Sequence, residues 1–207
     1  MQRPPTSHER QAGAPWDASY ADGPAPWDIG EPQPAVVRLA SEGAFTGAVL
    51  EAGCGTGDNA LHIASLGLHV LGFDVAATAV SIARARAADR GADAEFVVAD
   101  ALRLHGLGRE FDTALDCALL HTFDRDERRQ YVASLASAVR RGGRLHVLCF
   151  SDVGPGACGP HPLGDDELRA AFEPDSGWSV SAVTAERLCA RFDAQGVPAW
   201  LASVDRV

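Results

Sequence analysis

The sequence predicts an α/β fold, and three observations point to it. From Val36 onward, short apolar runs alternate with stretches of helical period. The first of these runs ends in a glycine-rich turn, EAGCGTGDN, at 51 to 59. The chain closes on two β-prone stretches, 178 to 192 and 197 to 207, separated by DAQG, which read as an antiparallel hairpin. The elements follow in order. The run 48 to 53 is a first strand; 58 to 66 is a helix closed by Gly67; 69 to 75 is a second strand; 78 to 90 is a helix closed by Gly91; and 94 to 100 is a third strand. This spacing of strand and helix makes βαβ units, hence a parallel sheet covered on both faces. A fourth strand is expected at 111 to 120, a helix over 124 to 140 ending at Gly142 and Gly143, and a fifth strand at 144 to 150. A Gly/Pro-rich loop at 151 to 164 and a short helix at 165 to 172 complete the pattern. No repeat and no second domain is visible, so the chain divides into an arm, 1 to 35, and one main domain, 36 to 207.

Composition limits the chemistry. The 207 residues are 46% hydrophobic and 22% charged, enough for one domain with a sizeable core. The net charge is −10, and all 18 basic residues are Arg. Without lysine there is no P-loop lysine and no Schiff base. Without a basic block, nucleic acid is not an expected partner. The five cysteines, Cys54, Cys117, Cys149, Cys158 and Cys189, form no CxxC pair, so no metal site and no disulfide framework is expected. No apolar run is long enough to span a membrane, and the N-terminus has no signal-peptide core, which predicts a cytoplasmic protein without a membrane partner.

Residues 1 to 34 hold seven of the twelve prolines, a composition that alone reads as a disordered arm. Trp16, Tyr20 and Trp27 argue otherwise, because large aromatics seek cover. They are expected either to pack as a strap on the sheet edge or, the preferred reading, to close as a lid over a ligand pocket.

Glycines at 53, 55 and 57, directly after a strand and opening a helix, let the backbone turn tightly and approach a ligand. The pattern is ExGxGxG with Glu51 at its head, not the GxGxxG of dinucleotide sites. Asp74 ends the second strand 21 residues after Gly53, where a carboxylate can accept from both hydroxyls of a ribose. Asp100 ends the third strand, where an acid can take the exocyclic amine of an adenine. Aspartates also end strands and cap helices for purely structural reasons.

These segments resemble the successive motifs of class I S-adenosylmethionine-dependent methyltransferases: VLEAGCGTG, VLGFDV, FVVAD, FDTALDCALLHTF and VRRGGRLHVLCF. The arm, with its PWDIG and PQP, is similar to that of the thiopurine methyltransferase-like branch, more narrowly the heterocyclic toxin methyltransferases. The resemblance implies a Rossmann-like sheet of seven strands, the last one reversed, and S-adenosyl-L-methionine as cofactor with S-adenosyl-L-homocysteine as product. It places Gly53, Gly55 and Gly57 against the methionine part, Asp74 on the ribose, Asp100 and Ala101 beside the adenine, and Asp116 and Cys117 near the sulfonium. Glu51, Cys54, Asp58, Asn59 and Val75 join the cofactor side, with Cys54 as a small residue beneath it. Trp16, Tyr20 and Trp27 close over it. The chain lacks the CxxxCxxC of radical enzymes. At the end of the fourth strand, Asp116-Cys117-Ala118-Leu119 stands where methylases of exocyclic amines carry Asp/Asn-Pro-Pro-aromatic.

The expected reaction is in-line transfer of a methyl group to O or N of a small aromatic heterocycle or quinol. A thiol or halide acceptor is the alternative, and a non-catalytic cofactor-binding regulator a remoter one. A nicotinamide oxidoreductase would need the third glycine one place later and a substrate domain. His121, Asp152 and His161 are the candidate bases or acceptor hydrogen bonders, with His121 first because an imidazole near its ordinary pKa suits proton removal at neutral pH. The assembly is expected to be a monomer or homodimer.

Overall fold

The computed structural model describes residues 3–153 and 160–207. Seven strands form one sheet: β1 (Val49–Ala52), β2 (Val70–Asp74), β3 (Ala94–Val98), β4 (Phe111–Cys117), β5 (Val139–Phe150), β6 (Trp178–Ala190) and β7 (Asp193–Arg206). Their order is β3-β2-β1-β4-β5-β7-β6. The first five run parallel, with β1 flanked by β2 and β4, and β7 enters antiparallel between β5 and β6. The reversed last strand is therefore present as the sequence predicts.

Alternation along the strands divides the core between the two faces. Leu50, Leu71, Ala114, Leu145 and Val147 face α5 (Arg125–Ala136) and α6 (Asp165–Ala171), through Tyr131, Leu135 and Leu168. Val49, Val70, Leu115 and Leu148 face α2 (Pro34–Ser41), α3 (Asp58–Ala64) and α4 (Ala77–Arg90), through Val36, Leu39, Ile63 and Val80. Gly67 (φ 83°) and Gly91 (φ 58°) stop α3 and α4 in the left-handed conformation, as the sequence reading expects.

One expectation needs correction. The helix over 124 to 140 is shorter: Asp124 caps it with a reciprocal bond to Glu127, and it ends at Ala136. Val139 instead opens β5, opposite Phe111, ahead of an irregularity in the β4–β5 register. The glycines 142 and 143 thus lie inside a strand. A Cβ on Gly143 would sit 2.8 Å from the Asp112 carbonyl oxygen, so the strands approach only because it has none.

The arm is ordered. Its composition hides a capping box, in which Thr6 and Glu9 bond each other's backbone and start α1 (Ser7–Ala12). A 3-10 turn follows at Trp16–Tyr20. Side chains then tie the arm along the sheet's C-terminal rim. Glu127 accepts from the backbone and hydroxyl of Ser7, Asp17 accepts from the backbone and hydroxyl of Thr78, Asp28 from Thr56 Oγ1 at 2.8 Å. Gln33 exchanges two bonds with the Cys189 backbone. Among the described residues no helix is long and apolar enough to cross a membrane. Part of the Gly/Pro loop, including Cys158, lies outside the described residues.

Candidate active site

The three glycines after β1 all have left-handed backbone, with φ of 66°, 52° and 88° at 53, 55 and 57. Each also admits a different neighbour. A Cβ on Gly53 would meet Leu119 Cβ at 3.2 Å, one on Gly55 the Tyr20 hydroxyl at 3.2 Å, and one on Gly57 the Phe96 ring at 2.8 Å. So the turn joins the segment after β4, the arm and β3 at one point.

Glu51 sits beneath this turn and is 1% exposed. Its Oε1 accepts from Asn59 Nδ2 at 3.0 Å and its Oε2 from the Ala60 backbone at 2.9 Å. Burial outweighs both bonds and pushes its pKa up to about 8. Asp74 accepts from Gly55 N–H at 2.9 Å on one oxygen and from Ala76 N–H at 2.8 Å on the other. Burial raises its pKa. Each oxygen keeps a lone pair for a further donor, which is what a pair of ribose hydroxyls requires. Asp100 caps the 3-10 turn Ala101–Leu107 through Leu102 N–H at 3.0 Å.

Gly53, Asp74 and Asp100 open on a cavity of about 370 Å³. One part is walled by Phe73, Asp74, Val75, Ala99, Asp100 and Ala101, apolar groups at the ends of β2 and β3 with two acids among them. The other half is aromatic. Trp16, Tyr20 and Trp27 of the arm meet Phe123, Phe150 and Phe192 there. Trp16 and Trp27 pack edge to face with ring centroids 5.5 Å apart, and Tyr20 accepts from Trp27 Nε1 at 3.1 Å. A smaller cavity of about 80 Å³, lined by the glycine turn with Glu51, Cys54, Asp58 and Asn59, adjoins the first across Tyr20, Trp27, Cys117 and Ala118.

Several expected site residues are occupied otherwise. Asp116 is completely buried and lines neither cavity: Oδ1 accepts from Leu119 and Leu120 N–H, and Oδ2 from the Tyr131 hydroxyl at 2.8 Å. Its work is to fold the turn after β4, not to face a ligand. Asp58 is paired with Arg86 at 2.6 Å, and Asn59 bridges Glu51 to the Gln33 backbone. The buried Cys54 thiol is pushed up in pKa and packs against Gly72, too protonated to act as a nucleophile.

The three candidate bases also separate. His121 lines the aromatic half, stacked on Phe150 at 4.2 Å, but its Nδ1 accepts the Phe150 N–H at 3.2 Å. Burial drives its pKa down to about 3, so the expectation of an ordinary imidazole fails. It is a neutral ring with its proton on Nε2, a hydrogen-bond donor. Asp152 is exposed, lies beyond the end of β5 and lines neither cavity. His161 does not line the cavity, where its neighbour Pro160 stands, but its Nε2 is buried without a hydrogen-bond partner among the described residues and its ring is near enough to His8 and His121 to lower the pKa of both.

The sequence reading misses Arg3, Thr6 and His8 of the arm, Phe192 at the β6–β7 turn, and Ala118, all of which line the main cavity. The Thr6-x-x-Glu9 box was a readable signal for the first three. Ala118, at φ 72°, is the one non-glycine residue with positive φ among the described residues. Such strain marks functional turns, and no residue type announces it.

A parallel sheet with a glycine turn, an acid at ribose distance and a slot ending at a third-strand acid define a nucleoside-cofactor enzyme of Rossmann-like type. The chain belongs to the class I S-adenosylmethionine-dependent methyltransferases. Residues 49–143 match the family model of a methyltransferase domain. A 2-heptyl-1-hydroxyquinolin-4(1H)-one methyltransferase of Mycobacteroides abscessus is 36% identical over 171 residues, 81% of this chain and 74% of that protein. A probable thiol methyltransferase 2 of Arabidopsis thaliana is 29% identical over 174 residues, 83% and 76% of the two chains. A solved structure concerned with conversion of a disulfide bond into a thioacetal group during echinomycin biosynthesis is 41% identical, with a TM-score of 0.78 over 87% of this chain and 84% of that one. S-adenosylmethionine is the cofactor, and the slot fits it: the acids keep free lone pairs, and the backbone at Gly53 has no side chain on the cavity wall.

Proposed function

We propose that this enzyme methylates O or N of a small planar aromatic heterocycle or quinol, quinolone-like in shape, in the cytoplasm, with no nucleic-acid or membrane partner. The observation that carries the reading is the aromatic half of the cavity, flat-walled by Trp16, Trp27, Phe123 and Phe150 and continuous with the slot bounded by Asp74 and Asp100. The hydroxyquinolone activity of the Mycobacteroides relative supports it. When bound, S-adenosylmethionine supplies an electrophilic methyl group on sulfur. Gly53, Asp74, Asp100 and Ala101 hold that cofactor; Cys117 and the strained Ala118 form the wall between the two cavities. The arm and the Phe150 face exclude water and align the acceptor, which together supply most of the acceleration for a displacement of this kind.

A second reading, a sulfur acceptor, is favoured by the thiol methyltransferase relative and by the disulfide chemistry of the solved structure. A panel of a 1-hydroxyquinolin-4-one, a quinol, an aliphatic thiol and iodide decides. The aromatic hydroxyls are expected to turn over fastest. Turnover of thiol or iodide with every aromatic inert would replace this reading by the second.

The arm is proposed as a lid that tightens on the cofactor. Amide exchange over residues 16 to 34 is expected to slow when S-adenosylhomocysteine is added, because Tyr20 and Trp27 border both cavities. Equal protection with and without ligand would leave the arm a fixed strap.

A further inference from the structure

The aromatic half of the cavity carries two imidazoles, and they are not equivalent. His121 has given its Nδ1 to the Phe150 N–H, so only a donor remains. His8, on α1 of the arm, lines the same cavity and stacks on Trp16 with ring centroids 4.3 Å apart and planes 22° apart. Its Nδ1 is buried with no hydrogen-bond partner among the described residues. A buried ring nitrogen without a partner costs about 1–3 kcal/mol, a cost that an acceptor hydroxyl relieves. A half-turn of the ring about Cβ–Cγ exchanges Nδ1 with Cδ2 and Nε2 with Cε1, so the free nitrogen has two positions from which to meet the acceptor.

We propose that His8, brought by the arm, is the base of the reaction, receiving the proton of an acceptor hydroxyl that does not ionise by itself, while His121 Nε2–H steadies the acceptor as a donor. This rests on the aromatic-hydroxyl reading above. The acceptor's O–H bond breaks and an N–H bond forms on the free ring nitrogen. As it does so, the oxygen makes its bond to the methyl carbon, and the sulfur keeps the electron pair of the S–CH3 bond. The imidazolium gives its proton to water when the product leaves.

The surroundings suit the role. Burial and the facing His161 hold the His8 pKa below 6.5, opposed in part by Glu9 on its own helix. Arg3, paired with Glu9, and the neutral His121 complete the groups facing it from the cavity wall, with Arg128 behind His121. The ring is therefore neutral and ready to accept a proton at pH 7, and is charged only as the pH falls below 6.5.

The experiment compares the wild type with His8→Ala and His8→Gln on two acceptors, an acidic 1-hydroxyquinolin-4-one and the weakly acidic 1-naphthol, with S-adenosylhomocysteine affinity measured by calorimetry. On 1-naphthol, kcat is expected to fall roughly 10²-fold in both variants and the acidic limb of its pH profile to disappear. On the hydroxyquinolone at pH 8 it is expected to fall less than about threefold, and cofactor affinity to change less than about twofold, since the acceptor's proton is already gone. Glutamine keeps a hydrogen-bonding side chain at this position, so one folded variant suffices. Equal losses on both acceptors, a surviving acidic limb, or a matching loss of cofactor affinity would overturn the role of His8. A wild type inactive on both hydroxyls would overturn the aromatic-hydroxyl reading itself, and with it this inference.

Discussion

Replacing Asp116 by alanine is expected to cost the fold about 3–5 kcal/mol, since two buried donors and a partly buried one lose their acceptor at once and each orphaned group costs about 1–3 kcal/mol. Those donors are Leu119 N–H, Leu120 N–H and the Tyr131 hydroxyl. Asp116→Asn keeps an oxygen for the two amides and an amide group against Tyr131, so most of the stability should remain. The pH dependence distinguishes the charge from the hydrogen bonds. Burial raises the Asp116 pKa from 3.8 to about 6, so the folded state binds this proton more tightly than the unfolded one. That contribution is full below pH 3.8 and is lost as the pH rises through about 6; the asparagine variant should lack this fall. Urea unfolding of the three proteins from pH 4 to 8 measures both effects. An alanine variant within about 1 kcal/mol of the wild type would show that the turn after β4 holds without its carboxylate.

Asp74→Ala is expected to weaken S-adenosylhomocysteine binding roughly 10- to 150-fold, or about 1.5–3 kcal/mol, the usual worth of hydrogen bonds to a charged group. Two losses combine. The ribose hydroxyls lose their proposed acceptor, and the Gly55 N–H, held at 2.9 Å, is released from the glycine turn. Asp74→Asn retains one acceptor oxygen and should fall between. Calorimetry on variants shown by circular dichroism to be folded is the measurement. An unchanged dissociation constant in folded Asp74→Ala would remove the ribose role.

Sheet, crossovers and reversed strand are legible in the sequence because they rest on patterns with a fixed period. A short continuous apolar run marks strands such as 70 to 74, and Gly67 and Gly91 punctuate helices at positions where only glycine takes the conformation cheaply. The end of α5 is not legible, since helix propensity runs on through Arg140 and only the pairing of Val139 with Phe111 decides against it. The site divides in the same way. Residues on the backbone path, Gly53, Asp74, Asp100 and Ala101, stand in the cavity wall where motif spacing puts them. Side chains whose duty depends on what lies across the fold do not follow from spacing. Asp116 is claimed by Tyr131 and His121 by the Phe150 amide. His8 acquires a wall position only because α1 is carried to the start of α5 by Ser7 and Glu127.

The ties of the arm carry a consequence for the order of assembly on the ribosome. Gln33 bonds to Cys189, 156 positions further along the chain, and the Pro26 carbonyl accepts the Arg191 amide. The stretch from Pro26 to Gln33 therefore finds these last ties only after β6 has been translated. Closing so long a loop costs little more than a shorter one, about 0.6 kcal/mol for each doubling, but it comes late. Tyr20 and Trp27, which pack with Ala25, Ala76 and Ala79, have much of their cover earlier, so the arm assembles in two stages.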